Sequence, residues 1–336
     1  MRGYVIDKYI KPSELKYEHN IPEPTPGHPN HVVVDVYSAG LNYFDILQVQ
    51  GKYQNQPPFP WVPGSEFAGK ISKGSPIPKG CPFKVGDAVF GASQGACGEK
   101  LVCDWKVLQK IPPGMSYEEA ASLYVTWPTS YEALVGRANL QAGEWVLVHA
   151  AAGGVGLVAV QIAKALGAKV IATAGSAEKL EVCKKYGGAD EVLNYRDESW
   201  QKEVMRITGG KGVDVVYDPV GMVQKSLKVI RWDGRILVVG FAAGAIEKIP
   251  MNLVLLKNIS IVGVHWGAYY KNEPDHPPKV WSELLKLYRD GKVKPIIYSE
   301  VYEPDALAKG LKDIAERKTW GKAVMRIQDP EPTAKL

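Results

Sequence analysis

Three small residues at fixed spacing, Ala150, Gly153 and Gly156, stand where a short apolar run, Trp145 to His149, gives way to a helical pattern. A turn of such residues lets the backbone approach phosphate groups closely, and the free N–H groups that open the following helix favour negative charge. The chemistry open to this stretch is the holding of a pyrophosphate. Behind it Leu157, Val160, Ala163, Ala165 and Leu166 recur at helical spacing, and Gly167 stands where that helix would stop. An AxxGxxG turn by itself suits any tight strand-to-helix connection. Here Gly167-Ala168-Lys169 leads directly into Val170-Ile171-Ala172-Thr173, so the unit reads strand, helix, parallel strand.

The end of that second strand carries the next chemical signal. A unit that takes NAD usually places an Asp or Glu there for the ribose hydroxyls. This chain reads Ala172-Thr173-Ala174-Gly175-Ser176, with no carboxylate before Glu178. Ser176 and Lys179 stand there instead, and Tyr195 and Arg196 follow the third strand. Hydroxyls and cations suit a 2′-phosphate, so NADPH is expected over NADH. Ser176 also reads as the cap of the next helix and Lys179 as a solvated side chain; both readings can hold at once.

The elements that position these residues follow from pattern and punctuation. Residues 1 to about 122 are rich in short strands, Val32 to Tyr37 the strongest, broken by Pro- and Gly-rich turns such as Gln56-Pro-Pro-Phe-Pro60. That pattern predicts a compact, partly open barrel. Ser116-Tyr-Glu-Glu119 carries a capping-box signature ahead of an Ala-rich helix. From 145 to 264 strands alternate with helices. The strands are 145–149, 169–173, 191–193, 213–217, 235–239 and 259–264; the helices include 178–186, 199–207 and 223–230. Six nearly all-apolar strands predict one doubly wound parallel sheet. The remainder holds helices at 280–289 and 304–317, a closing strand Ala323–Ile327, and a Pro- and charge-rich tail from Asp329 that reads as loose.

Composition narrows the class. The 336 residues are 46% hydrophobic and 23% charged, values typical of a globular protein with room for two domains. The net charge of +5 is spread among both signs with no basic block, so no nucleic-acid footprint is present. The four cysteines, Cys81, Cys97, Cys103 and Cys183, form no CxxC pair and read as free thiols in a reducing compartment. The start lacks the apolar core of a signal peptide, and no run approaches a membrane span. The expected location is the cytoplasm, with no membrane partner.

Several stretches combine into one picture: Gly40-Leu-Asn42-Tyr-Phe-Asp45, Gly51-Lys-Tyr53, Val62-Pro-Gly64-Ser-Glu66-Phe-Ala-Gly69, His149 to Gly156 and Thr319-Trp-Gly-Lys322-Ala-Val. Over about residues 20 to 327 the chain resembles the quinone oxidoreductase, zeta-crystallin-like, branch of the medium-chain dehydrogenase/reductase superfamily. Leu255 to Ile259 followed by Trp266-Gly is similar to the quinone oxidoreductase-like protein 2 type. The resemblance implies a GroES-like β-rich catalytic domain (1–122 and 265–336) with a Rossmann NADPH-binding domain (123–264) inserted in it. It also implies hydride transfer from NADPH to a quinone or another enone, in a homodimer pairing its sheets near Ile259–Val264. Zinc relatives carry a Cys in the catalytic domain, a GHE motif and a four-cysteine lobe. This chain has Asn42, Gly64-Ser65-Glu66 and no such cluster, and its six histidines show no paired spacing, so no metal site is expected.

By the same resemblance Thr126 would hold the nicotinamide carboxamide, with Asn42 and Asp45 near the nicotinamide and its ribose. Gly153, Gly154 and Val155 would face the pyrophosphate, and Ser176, Lys179 and Tyr195 the 2′-phosphate. Gly240, Phe241, Val264 and Trp266 would border the nicotinamide, Lys322 would return from the closing strand, and Tyr53 would line the substrate cleft. The residues themselves leave other roles open: Asn42 a turn residue, Asp45 a helix cap, Tyr53 a packing aromatic, Lys322 a strand-edge lysine. No side chain stands out as an obligatory acid. The function expected is NADPH:quinone reduction without metal. The alternatives are an enone or 2-enoyl reductase, and an NADPH-binding sensor or structural protein with little turnover.

Overall fold

The computed structural model describes residues 1–242, 244 and 246–329. The chain divides into two compact units, one made of Met1–Val125 with the chain from Ile297 onward, the other of Thr126–Ile296.

The first unit is built on an antiparallel sheet. In order across it lie Val324–Arg326, His31–Gly40, Glu66–Ile71, Ala88–Ala92 and Leu108–Lys110, with Lys100–Asp104 also paired to His31–Gly40. The long strand alternates at first, with Val32, Val34 and Val36 fully buried, then is buried on both sides from Val36 to Gly40. The alternation marks one covered face; its loss marks where the strand runs into the core. Val324 pairs with Gly40, so the returning chain is zipped beside the start of the helix Tyr43–Val49. That pairing sets Lys322 among residues of the early chain.

The second unit is a six-stranded parallel sheet in the order Glu191–Asn194, Lys169–Ala174, Trp145–Val148, Val213–Asp218, Ile230–Val238 and Ser260–Gly263. The first strand in sequence, Trp145–Val148, has the second strand on one side and the fourth on the other. Strand order reverses there, and the crevice beyond the carboxyl ends of such strands is where open α/β sheets bind ligands. Val146, Leu147, Val148, Val170, Ile171 and Ala172 are fully buried, as strands covered by helices on both faces require. His149 follows the first strand with no solvent exposure, held between Thr173 Oγ1 at 3.0 Å and Ser226 Oγ at 2.8 Å. Burial pushes its imidazole down to about 3, so it stays neutral and ties the strand to its neighbours.

The return to the first unit comes at Ile297, later than the expected 265, and the first boundary lies at 125 rather than 122. The segment between packs on the second unit. The helix His276–Arg289 buries Val280, Trp281 and Leu284, and the Tyr288 ring lies 6.3 Å from that of Trp127. Gln161 exchanges hydrogen bonds with the Lys294 backbone in both directions. Helices expected at 223–230 and 304–317 are shorter, Val223–Ser226 and Leu307–Ala315. The first is cut short because the next strand already begins at Ile230. The Gly/Ala turn after Val239 is described except for residues 243 and 245, and the tail expected to be loose lies, past Asp329, outside the described residues. No helix among the described residues is long and apolar enough to cross a membrane.

Candidate functional site

In the second unit the glycine turn has the expected form. Ala150 takes a left-handed conformation, φ 46°, which turns the chain out of its strand. Gly153 is extended, φ −78° and ψ 173°, and caps the helix Gly154–Ala165. The first intrahelical bond runs from Leu157 N to Gly153 O, and helix geometry leaves the N–H groups of Gly154 and Val155 without acceptors along the chain. Those groups and the helix dipole make a site for an anion. The tight packing falls on Gly156. A Cβ there would lie 2.5 Å from Ala150 O and 2.8 Å from Ala151 Cα, whereas one on Gly153 would meet only Ala150 O at 3.3 Å. Gly153 leaves room for a ligand; Gly156 lets helix and turn touch.

The ends of the second and third strands meet as the spacing implies. Tyr195 N donates to Ala174 O, and a Cβ on Gly175 would lie 2.7 Å from the Tyr195 hydroxyl and 3.2 Å from Arg196 Nε. Gly175 therefore lets a phenol and a guanidinium pack directly against the strand end. Ser176 caps the helix Ala177–Val182, its Oγ accepting from Lys179 N at 3.4 Å, so the capping reading holds for this hydroxyl. Arg196, noted only in passing from sequence, belongs to this group. Gly240, Phe241, Val264 and Trp266 lie beyond the ends of the fifth and sixth strands. Phe241 is 44% exposed and Trp266 buried, its Nε1 without a hydrogen-bond partner among the described residues. Thr126 is buried at the start of the helix Thr126–Tyr131.

In the first unit Asn42, Asp45 and Lys322 converge, and the structure adds Glu66. Asn42 precedes the helix Tyr43–Val49, and the carboxyl of Asp45 in the first turn accepts from Asn42 N at 2.7 Å. The Asn42 side chain points elsewhere. Its Nδ2 donates to Glu66 Oε1 at 2.9 Å, and its Oδ1 accepts from Lys322 Nζ at 2.7 Å. Lys322 Nζ also contacts Glu66 Oε1 directly, and Glu66 Oε2 accepts from Val125 N at 3.0 Å. All four side chains are buried: Asn42 8%, Asp45 2%, Glu66 0% and Lys322 4% exposed. Gly40 makes the space, since a Cβ there would meet Glu66 Cγ at 2.7 Å. The amide orientation of Asn42 is thus fixed by an ion pair, and Lys322 is an anchor rather than a strand-edge lysine.

Asp45 differs from Glu66. Its Oδ1 is buried without a partner among the described residues. Burial raises its carboxyl to about 7, opposed by the bond from Asn42 N and the charge of Lys322 and reinforced by Glu66. Tyr53 follows the same helix and stacks on Phe44, ring centroids 5.3 Å apart at 22°. Burial holds its phenol above the ordinary value, and the Asp45 charge adds to that.

Residues 28–131 match the family model of the alcohol dehydrogenase GroES-like domain, and residues 154–289 that of the zinc-binding dehydrogenases. The fold and the glycine turn define a medium-chain dehydrogenase/reductase, with a GroES-like unit and a Rossmann-like unit. The chain belongs to the quinone oxidoreductase family of that superfamily. It is 37% identical over 323 residues to mouse quinone oxidoreductase-like protein 2, covering 94% of this chain and 91% of that one. The solved Escherichia coli quinone oxidoreductase complexed with NADPH superposes with a TM-score of 0.86 at 29% identity, covering 97% of this chain and all of the other (100%). The CurK enoyl reductase superposes with a TM-score of 0.86 at 28% identity, covering 97% and 98% of the two chains. The residues present do not fit the zinc in one family description. Glu66 already faces an ammonium, and no group of three or more His, Cys, Asp or Glu among the described residues could hold a metal ion.

Proposed function

We propose that this oxidoreductase transfers hydride from NADPH to a quinone, without a metal. The observation that carries the cofactor reading is the end of the second strand, where Tyr195 and Arg196 border Gly175, Ser176 and Lys179 open the next helix, and no carboxylate precedes Glu178. The residues fit the dinucleotide: helix geometry leaves the N–H groups of Gly154 and Val155 without intrahelical acceptors, and Gly175 brings the Tyr195 hydroxyl and the Arg196 guanidinium close to the strand end. Bound there, NADPH supplies the hydride. Gly153, Gly154 and Val155 face the pyrophosphate, Gly154 and Val155 offering their N–H groups and Gly153 leaving it room while its own N–H closes the turn on Ala150 O, and Ser176, Lys179 and Tyr195 bind the 2′-phosphate. Thr126 holds the carboxamide, and Gly240, Phe241, Val264 and Trp266 flank the nicotinamide. In the catalytic unit Lys322 and Glu66 fix the amide of Asn42, and Tyr53 offers a flat aromatic face to a planar acceptor. A quinone is already electron-poor, so its reduction does not require polarisation by a metal.

Lys179→Glu is expected to weaken NADPH by roughly 10- to 100-fold while leaving NADH within about twofold, because one charge-assisted hydrogen bond contributes about 1.5–3 kcal/mol. Paired fluorescence titrations with the two cofactors measure it. Equal loss of both would remove the 2′-phosphate assignment. A second reading, an enone or 2-enoyl reductase, is favoured by the likeness to the CurK enoyl reductase.

The partner we propose is a second copy of the chain. Ser260–Gly263 is an edge strand, bonded in the sheet only to Ile230–Val238 among the described residues. In the chain just ahead of it Ile246, Met251, Leu255 and Leu256 are 80%, 66%, 78% and 67% exposed. An edge strand preceded by that much exposed apolar surface is what two-fold pairing would cover. The double variant Leu255→Asp/Leu256→Asp is expected to halve the mass seen by light scattering, with near-native circular dichroism. A wild-type monomer would contradict the pairing.

A further inference from the structure

A buried carboxylate in the second unit has no part in the chemistry above. Glu132 is 3% exposed and opens the π-helical turn Glu132–Arg137, which continues the helix Thr126–Tyr131. Such wide turns are rare and gather at functional sites. The side chain folds back over its own turn, where a Cβ on Gly136 would overlap Glu132 Oε1. Both oxygens are taken by residues 137 and 144 positions further on. Oε1 accepts from the Tyr269 hydroxyl at 2.8 Å, and Oε2 faces His276 Nε2 at 2.7 Å. An ionised carboxylate only accepts, so the imidazole donates there. Partial burial pushes the Tyr269 phenol up to about 12, and its bond to Glu132 adds to that, so it stays a donor. Arg137, the last residue of the turn, donates from Nε to Gly263 O at 3.2 Å, at the end of the sixth strand. One turn of helix thus grips the stretch 263–276 at both ends and in the middle. That stretch carries Trp266. Its ring lies 5.5 Å from that of Tyr269 and 6.3 Å from that of His276, and Tyr269 lies 4.8 Å from His276 at 32°. Two of the aromatic rings against Trp266 are therefore the two that Glu132 holds. A carboxylate is a costly filler for a buried space, and apolar side chains of like volume serve stability as well or better. What it supplies is direction, two hydrogen bonds that fix two rings from one point.

We propose that Glu132 is a positioning residue for hydride transfer: through Tyr269 and His276 it sets where Trp266 stands, and so how the nicotinamide ring lies, without itself touching cofactor or acceptor. This rests on the functional reading above, in which Thr126 holds the carboxamide and Trp266 flanks the ring. Under that reading one continuous stretch of chain, 126–137, holds the carboxamide at its start and the Trp266 stretch at its end. Affinity for NADPH comes chiefly from its phosphates, which the reading places on the glycine turn and the end of the second strand. Loss of Glu132 therefore leaves binding nearly intact and lowers the rate, because a displacement of about 1 Å at the reacting centre costs up to about 100-fold.

The test uses the full chain with NADPH and an ortho-quinone. Glu132→Ala leaves the phenol and the imidazole without their acceptor. Its kcat should fall by about 30- to 100-fold while the Kd for NADPH stays within about twofold. Glu132→Gln keeps an oxygen for Tyr269 and offers an amide hydrogen to His276, so it should recover all but about fivefold of the rate. Tyr269→Phe removes one hydroxyl and leaves the carboxylate to His276, and should lower kcat by about fivefold in the same pattern. Emission of the bound reduced nicotinamide is a second readout that needs no turnover. A ring held less firmly emits more like the free cofactor, so the emission should shift that way in Glu132→Ala and return in Glu132→Gln. Unchanged kcat and emission in Glu132→Ala, or a retained kcat with lowered affinity and melting temperature, would overturn the proposal and leave Glu132 a residue of the fold alone. If Glu132→Ala does not fold, Tyr269→Phe carries the same decision. Wild type that binds NADPH but reduces no acceptor would instead end the functional reading, with the emission comparison still deciding whether Glu132 sets the place of the ring.

Discussion

Lys322→Met will lower the unfolding free energy by about 3–5 kcal/mol, the usual cost of leaving one member of a buried ion pair alone. Lys322 is 4% exposed and Glu66 not at all, so water cannot replace the lost ammonium. Asn42 Oδ1 also loses its donor, and the carboxylate of Glu66 is left, among the described residues, with Asn42 Nδ2 and Val125 N. Adding Glu66→Gln should restore most of the loss, because neutral replacements remove the desolvation cost of both charges. Urea denaturation of the single and double variants measures the coupling. A single variant within about 1 kcal/mol of wild type, the range of exposed pairs, would mean that the site is hydrated. The same variant is expected to lose turnover beyond its lost stability, since Lys322 and Glu66 hold both ends of the Asn42 amide.

Gly156→Val will cost about 3 kcal/mol and weaken NADPH by roughly 100-fold, whereas Gly153→Ala will cost under about 1 kcal/mol. The difference is steric. At 156 a Cβ would stand 2.5 Å from Ala150 O and 2.8 Å from Ala151 Cα, both backbone atoms of the turn itself, so helix and turn must separate. At 153 the one neighbour is Ala150 O at 3.3 Å, and the small adjustment needed leaves the turn intact. A larger side chain at 153 would act on the ligand instead of the fold, so Gly153→Val should keep its melting temperature and lose cofactor affinity. Thermal melts read with fluorescence titrations separate the two effects. Equal destabilisation at both positions would contradict the packing described for this turn.

Much of this was legible in the sequence, for physical reasons. The six parallel strands are nearly continuous apolar runs because both faces are covered, and turn residues punctuate them. The cap at Ser116 was readable because its partner Glu119 is three residues away, and both halves of the box form, at 2.9 and 3.1 Å. What depends on distant partners was not. Glu66 and Lys322 are 256 positions apart, and nothing local announces that a strand residue and a residue of the returning chain share a pocket. The second boundary was missed for a related reason. The apolar stripe of His276–Arg289 shows that the helix is covered but not by which unit. The π-helical turn Cys183–Gly187 falls at the end of the helix expected over 178–186, since the wider turn changes no residue pattern. Residues of the strand ends, by contrast, were placed by counting from the glycine turn.

The most direct test of the central claim is the steady-state oxidation of NADPH and NADH by the purified protein, with an ortho-quinone and a simple enone offered in parallel. The account predicts fast oxidation of NADPH with the quinone, little with the enone, and a KM for NADH at least about tenfold above that for NADPH, as loss of the 2′-phosphate contacts implies. Turnover confined to the enone would move the function to alkene reduction. Tight NADPH binding with no turnover of either acceptor would contradict the enzymatic reading and leave a cofactor-binding protein.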